Sequence, residues 1–155
     1  MKEKAGKKDF LYFLNRNYYV ASHLVERLDE LKDLPLFSTH SDAVKTAIKL
    51  LEANLDQNES IFTSLGEDNS FEECLPMIGF LENTFSIILD LNNKTPYLSL
   101  LDYVSIADAL LKENSRMAEL SLLHLPKFNN QQYLINKINP LESLIVLLEE
   151  AFSIA

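Results

Sequence analysis

The stretch Ile61–Glu82, IFTSLGEDNSFEECLPMIGFLE, decides the fold, because it ends one amphipathic helix and begins another. Gly66 supplies the residue that commonly ends a helix in the left-handed conformation. Ser70, followed three residues later by Glu73, has the form of a capping box, in which side chains and backbone N–H groups bond reciprocally at a helix start. Apolar residues then recur at three- and four-residue spacing. The stretch predicts a helical hairpin with two apolar faces that the rest of the chain buries.

Length and composition favour helices over sheets. The chain has 155 residues, which is enough for one domain with a sizeable core. It contains only 3 glycines and 5 prolines, whereas a sheet-rich fold needs many turns and uses more of both. We therefore expect one all-α domain over residues 1–155. Residues 1–8 hold four lysines and one glutamate, and we expect this segment to be flexible.

Charge excludes two classes of partner. The formal net charge is -9, and the body of the chain is more acidic still, because the N-terminal segment is basic. Such a body repels nucleic acid and anionic membranes, and no basic and aromatic residues alternate as a phosphate-binding groove requires. No apolar run reaches the roughly 18 residues of a membrane span, and no signal segment opens the chain. We expect a cytoplasmic protein.

The periodicity of apolar residues predicts two long helices before Gly66. The first runs from Asp9 to Lys32, before Pro35, and its seam consists of Phe10, Leu14, Asn17, Ala21, Leu24, Leu28 and Leu31. The second begins near Ser41 as N-cap, and its stripe consists of Val44, Ala47, Ile48, Leu51, Leu55, Asn58, Phe62 and Leu65. A neighbour across the bundle is expected to satisfy Asn58. The connection Pro35–His40 retains two apolar residues, so it should pack as a flap.

Three further helices are predicted after the hairpin loop. The third runs from Phe71 to Leu91, with Met77, Leu81, Phe85, Ile88 and Leu89 inward. Because Pro76 fits only a first turn, either the regular helix begins nearer Cys74 or the helix bends. The fourth runs from Pro96 to Leu125, either continuous or broken near Asp102, with a stripe of Ile106, Leu110, Glu113, Met117 and Leu120. A fifth begins at Asn139-Pro140. Short connections between long helices predict an antiparallel four-helix bundle with an additional C-terminal helix.

Candidate chemistry is sparse. The single cysteine, Cys74, cannot form an internal disulfide, and its apolar surroundings predict a buried thiol. No Glu-x-x-His motif of a carboxylate-bridged metal pair occurs. Glu82 and Glu113 lie on or beside apolar stripes, so they are either remnants of a metal or proton site or edge residues paired with neighbours such as Arg116. No nucleophile elbow or phosphate-binding loop is present, and we assign no catalytic residue.

Several of these residues resemble one known family. The segment Ile61–Gly66, then Cys74, Met77 and Gly79 followed by an acidic residue near Glu82, is similar to the YciF-like family of bacterial ferritin-like proteins. Tyr19-x-Ala21 in the first helix and Asp102 in the fourth also fit. The resemblance spans Tyr18 to Leu120 and implies a ferritin-like bundle that forms a dimer, with metal ligands at the middle of its helices.

Most of the ligands that the resemblance implies are replaced in this chain. The glutamate of the first helix falls at Ser22, and the histidine of the second falls at Ala47. Glu82 and Glu113 remain, but Asn114 follows Glu113 where the family tends to have histidine. Two carboxylates are too few to hold two iron ions. The resemblance therefore implies a member that kept the scaffold and lost the metal, and we expect no cofactor.

The preferred functional reading is a non-catalytic, ferritin-like bacterial protein linked to stress, which self-associates or binds a partner protein. We expect a homodimer with Tyr18, Tyr19, Leu36 and Phe37 as contact residues. One alternative is a metal-binding oxidoreductase that uses Glu82 and Glu113, with His23 or with ligands from a second chain. Another is an immunity or antitoxin protein whose acidic body suits a basic partner.

Overall fold

A computed structural model describes residues 2–122 of the chain, with side chains for residues 7–122 other than Glu72. Four helices lie in this range: α1 (Lys2–Lys32), α2 (Ser41–Leu65), α3 (Leu75–Ser86) and α4 (Pro96–Leu122). Short 3-10 helices at Pro35–His40 and Glu72–Cys74 precede α2 and α3. These residues contain no strand, which confirms the all-α prediction for the described part of the chain. The helix predicted from Asn139 lies outside it.

Helix α1 lies at the centre of the described bundle. All seven residues of its predicted seam are buried, from Phe10 at 1% exposure to Leu31 at 0%. The predicted start at Asp9 is wrong, because the helix already begins at Lys2 and so includes most of the segment expected to be flexible. Lys and Ala in this segment favour helix. Lys7 also forms an ion pair of 3.1 Å with Glu67, just past the end of α2.

The helices alternate in direction. Arg16 and His23 of α1 contact Asn114 and Tyr103 of α4, respectively, so α1 and α4 are antiparallel. Helix α2 is also antiparallel to α1. The smaller apolar cluster of the core contains residues from the beginning of α1 and the end of α2, and the larger cluster contains residues from the end of α1 and the beginning of α2. Helix α3 runs in the direction of α1 and packs on α1 and α4, whereas α2 is joined to the bundle mainly through α1.

The loop between α2 and α3 confirms one predicted signal and corrects another. Gly66 ends α2 with φ +66, and its N–H and that of Glu67 donate to the carbonyl groups of Thr63 and Phe62, as in a Schellman motif. The capping box expected at Ser70 does not start α3. That helix begins at Leu75 with Cys74 as N-cap and no side-chain cap. Pro76 then lies in the first turn, where its missing N–H costs nothing.

The start of α2 differs from the prediction in a similar way. Ser41 is the first helical residue, not the N-cap, which is His40 without a side-chain cap. The preceding segment packs as predicted, because the Phe37 side chain is fully buried, its ring 5.3 Å from that of Tyr97. Within α2, Asn58 is buried but donates to Asn54 one turn earlier, at 3.0 Å, and so is satisfied along its own helix.

The predicted faces of α3 and α4 need larger corrections. Helix α3 ends at Ser86, five residues before the predicted end, and Leu89 is 45% exposed instead of inward. Helix α4 continues past Asp102 without a break. Its buried face is rotated by one residue from the predicted stripe, which turns a helix by about 100°. The residues that face the core are Leu100, Tyr103, Val104, Ala107, Asp108, Leu111, Asn114, Ser115, Ala118, Ser121 and Leu122.

The core consists of two apolar clusters separated by polar side chains. The larger cluster fills the end of the bundle around Leu28 and Leu51, and the smaller one lies around Phe10 and Phe62. Between them, each long helix contributes buried polar residues, which we call the polar layer: Asn15 and Asn17 from α1, Asn54 and Asn58 from α2, Asn114 and Ser115 from α4. The predicted seams included two of these six residues, Asn17 and Asn58.

Candidate functional site

Glu82 lies in a cluster of polar side chains that joins three helices. We call Tyr103, His23, Glu82 and Arg27 the His23 cluster. The Tyr103 hydroxyl oxygen lies 2.6 Å from His23 Nδ1, and His23 Nε2 lies 3.2 Å from Glu82 Oε1. Arg27 donates to the same carboxylate through Nε, at 3.1 Å, and through Nη2. The cluster therefore connects α1 with both α3 and α4.

The carboxylate determines the tautomer that we assign to His23. An ionised carboxylate only accepts, so Nε2 carries the hydrogen that faces Glu82, and Nδ1 accepts from the Tyr103 hydroxyl. The Nε2 contact falls outside hydrogen-bond geometry, although the two atoms are close. Burial lowers the pKa of His23, and Glu82 opposes this effect only in part. The imidazole is therefore neutral near pH 7.

The other members of the cluster are also held in one protonation state. Burial raises the pKa of Tyr103, which stays a phenol. Burial also disfavours ionisation of Glu82, but the hydrogen bonds from Arg27 and the nearby His23 outweigh it and lower the carboxyl pKa. A pocket of about 190 Å³ borders the cluster on the side of His23 and Glu82. Because Tyr103 has no exposed surface, a ligand in this pocket cannot touch it.

Glu113 lies far from this cluster. Its side chain is 57% exposed and accepts two hydrogen bonds from Arg116 one turn later, which lower its carboxyl pKa. Tyr103 and Glu113 are ten residues apart on α4, or about 15 Å. The structure thus does not bring Glu82 and Glu113 together. Among the side chains that the structure describes, no group of three or more His, Cys, Asp or Glu is arranged to hold a metal ion.

Three of the four predicted contact residues already have contacts inside the chain. Tyr18 donates to Glu59 at 3.0 Å, and burial together with this carboxylate raises its pKa to about 12. Tyr19 donates to Asn69 at 2.6 Å. Phe37 has no exposed surface, so its assignment as a contact residue is wrong for this conformation, whereas Leu36 is 41% exposed. Cys74 is buried as expected, and burial raises its thiol pKa.

The sequence analysis missed an exposed apolar surface on α3. Phe80 on α3 is 54% exposed, and Ile87, the C-cap residue directly after α3, is 56% exposed. They lie two turns apart on one side of the helix, about 100–120° around its axis from the buried residues Met77, Leu81 and Phe85. Pro76, Asn83 and Thr84 lie on the same side of the helix, and we call these five residues the α3 stripe. The periodicity already contained this signal, because Phe80 and Ile87 fall outside the inward set of the third helix.

The α3 stripe borders a groove between α3 and α4. The groove has a volume of about 340 Å³ and is lined by Thr84, Ile87, Ser99, Asp102, Ser105 and Ile106. Exposed apolar surface of this kind, next to a concave surface, is characteristic of protein-binding regions. It is the feature of the described surface with the clearest functional meaning.

The described residues thus form an all-α bundle with one buried polar cluster and one exposed apolar stripe. None of its described helices combines the length and the hydropathy that crossing a bilayer requires. Comparison with protein-family models, with curated proteins and with solved structures finds no match to this chain. The surface and the charges of the chain itself are therefore the evidence for its function.

Proposed function

We propose that the protein is a non-catalytic, self-associating helical bundle of ferritin-like type. The observation that carries the proposal is the α3 stripe. Residues 75–89 contain a single charged residue, Glu82, although the whole chain carries 37 charged residues among 155. The carboxylate of Glu82 is held by Arg27 of α1. An exposed helix face with large apolar residues and no charge is costly in water unless a partner covers it.

Two further observations support the proposal. The alternating directions of α1 to α4 are those of an up-and-down bundle, which supports a helical bundle; a ferritin-like fold would add one long crossover connection between helices. The side chains of the His23 cluster hold one another in place across three helices, although the Glu82 side chain is 38% exposed and that of Arg27 is 24% exposed. Glu82 accepts from the guanidinium group of Arg27 through Oε1, and Glu113 accepts from that of Arg116 through both oxygens, so both carboxylates already have a cationic partner within the chain.

Sedimentation equilibrium of the full chain tests the proposal. At tens of micromolar and physiological salt, we expect twice the mass of one chain. A monomer at this concentration contradicts the proposal. Elemental analysis of untagged protein grown with added iron and manganese tests the non-catalytic part, because near-stoichiometric bound metal would favour the metal-binding alternative.

A further inference from the structure

We propose that two copies of the chain pair through the α3 stripe, antiparallel, about a twofold axis that passes between Asn83 and Thr84. This inference depends on the proposed self-association and adds the surface, the symmetry and the contacts. The partner is a second copy of this chain. Three properties of the stripe support it: the spacing of its residues, its lack of charge and the groove beside it.

The spacing of the stripe is symmetric about its centre. Phe80 lies as far before the midpoint between Asn83 and Thr84 as Ile87 lies after it. In a twofold pair of antiparallel helices, residues at equal distances from the axis meet, so Phe80 of each copy contacts Ile87 of the other. At the axis, the Asn83 amide can donate to the Thr84 hydroxyl oxygen of the opposite copy, which accepts because its own hydrogen is donated to the carbonyl oxygen of Phe80. The stripe is therefore complementary to itself.

Charge favours a second copy over a different partner. A twofold interface brings each surface against its own copy, so a charged surface near the axis meets like charge. The chain has a net charge of -9, and most of its surface would repel a second copy. The α3 stripe itself has no charged residue, and the one carboxylate that lines the groove beside it is that of Asp102 on α4. A basic partner, attracted by the net negative charge of this chain, would instead bind the carboxylates of this chain outside the α3 stripe.

The groove provides a place for the aromatic ring. Phe80, at 54% exposure, still presents roughly 100 Å² of surface, given the area that an aromatic side chain buries in full. In the antiparallel pair its ring lies beside Ile87 of the other copy, at the mouth of the groove of about 340 Å³ that Ile87 and Ile106 line. Leu91 and Leu98, at 102% and 59% exposure, extend the apolar surface toward the loop between α3 and α4. A standard interface buries roughly 800 Å² per partner, and the stripe would form its apolar centre.

Charge-introducing variants test the surface. We expect Phe80→Glu and Ile87→Glu each to weaken dimerisation of the full chain by at least about 100-fold, because each places two carboxylates against apolar surface across the axis. Leu50→Glu on α2, at 41% exposure, is the matched control and should change the dissociation constant less than about twofold. Circular dichroism and the thermal midpoint verify folding, which these exposed positions should not affect.

A cross-link tests the axis independently. In a Cys74→Ala background, Asn83→Cys places one thiol of each copy beside the axis, and mild oxidation should link most chains as dimers. Ser64→Cys on the exposed side of α2 is the control and should stay unlinked.

The outcomes separate this inference from the proposed function. A wild-type dimer that persists in Phe80→Glu, or that cross-links at residue 64 and not at residue 83, overturns the surface but leaves self-association intact. A wild-type monomer overturns both.

Discussion

At the scale of single residues, Asn17 is the least expected member of the core. Its side chain is 1% exposed, and among the described residues neither its amide nitrogen nor its amide oxygen has a hydrogen-bond partner. A buried amide without partners costs about 1–3 kcal/mol in proteins. The apolar seam of α1 thus contains one residue that opposes folding, at the level where the two apolar clusters meet.

We therefore expect Asn17→Leu to stabilise the protein. The free energy of unfolding should rise by about 1–2 kcal/mol, because an unpaired polar group is replaced by an apolar group of similar shape. Urea unfolding followed by circular dichroism measures the change. Asn58→Leu is the matched control, and it should gain less because it loses the bond to Asn54. A loss of stability in Asn17→Leu would show that the amide is held in solution by a partner such as an internal water.

At the scale of elements, Asn15 holds the loop between α2 and α3 against α1. Its amide nitrogen donates to the carbonyl oxygen of Ser70 at 2.8 Å, and its amide oxygen accepts from the Ser70 N–H at 2.7 Å. The same amide nitrogen lies 3.3 Å from the sulfur of Cys74, the N-cap of α3. The Asn15 side chain thereby satisfies both the N–H and the carbonyl group of Ser70. In the predicted capping box, the N–H of Ser70 would instead have donated to the side chain of Glu73.

Asn15→Ala should lower the free energy of unfolding by about 2 kcal/mol, because it removes both hydrogen bonds and leaves two partly buried backbone groups to find water. Asn69→Ala in the same loop is the control, and it should cost less than about 1 kcal/mol, since its contact with Tyr19 is exposed. Equal losses in the two variants would show that Asn15 does not hold the loop.

At the scale of the whole molecule, the His23 cluster is the polar contact that joins α1 to both α3 and α4. The groups that face His23 are Glu26 and Arg27 on its own helix, Glu82 on α3 and Tyr103 on α4. Because burial lowers the pKa of His23 in the folded chain, the unfolded chain binds this proton first as pH falls. Protonation of His23 therefore favours unfolding.

Stability should consequently fall as pH decreases below about 6.5, the ordinary value for histidine, toward the lower folded-state pKa. Stability should fall further below about pH 4.5, because the pairing with Arg27 lowers the folded-state pKa of Glu82 from that value. Urea unfolding between about pH 8 and pH 5 measures the first slope. His23→Gln should remove most of it. A slope that persists in His23→Gln assigns the proton to another group.

The α3 stripe is also a property of the whole molecule, because it is a surface that the other described helices do not cover. Helix α3 has three buried residues, Met77, Leu81 and Phe85, and an adjacent, exposed side carries Phe80 and the C-cap residue Ile87. A helix that is apolar on two faces is either enclosed on both sides or paired with a partner. For α3, the described chain covers one of these faces. The other is the surface that we assign to a second copy.

The amino-acid sequence by itself determined the helices and the seam of α1. All seven residues of its predicted seam are buried. A long helix at the centre of a bundle has contacts on a broad face, so a small error in the predicted seam still leaves its residues buried. Gly66 likewise predicted the end of α2, because a left-handed residue there depends only on local backbone sterics. These are consequences of short-range geometry, which residue types specify directly.

Tertiary structure alone decided the rest. The face of α4 was predicted one residue out of register, because buried Asp108, Asn114 and Ser115 look like surface residues until their neighbours are known. The role of Glu82 depended on which helix lay beside α3, and only the packing placed Arg27 and His23 within reach. For α3, the spacing of apolar residues already placed Phe80 and Ile87 outside the inward set, but only the packing shows that the described chain leaves both uncovered.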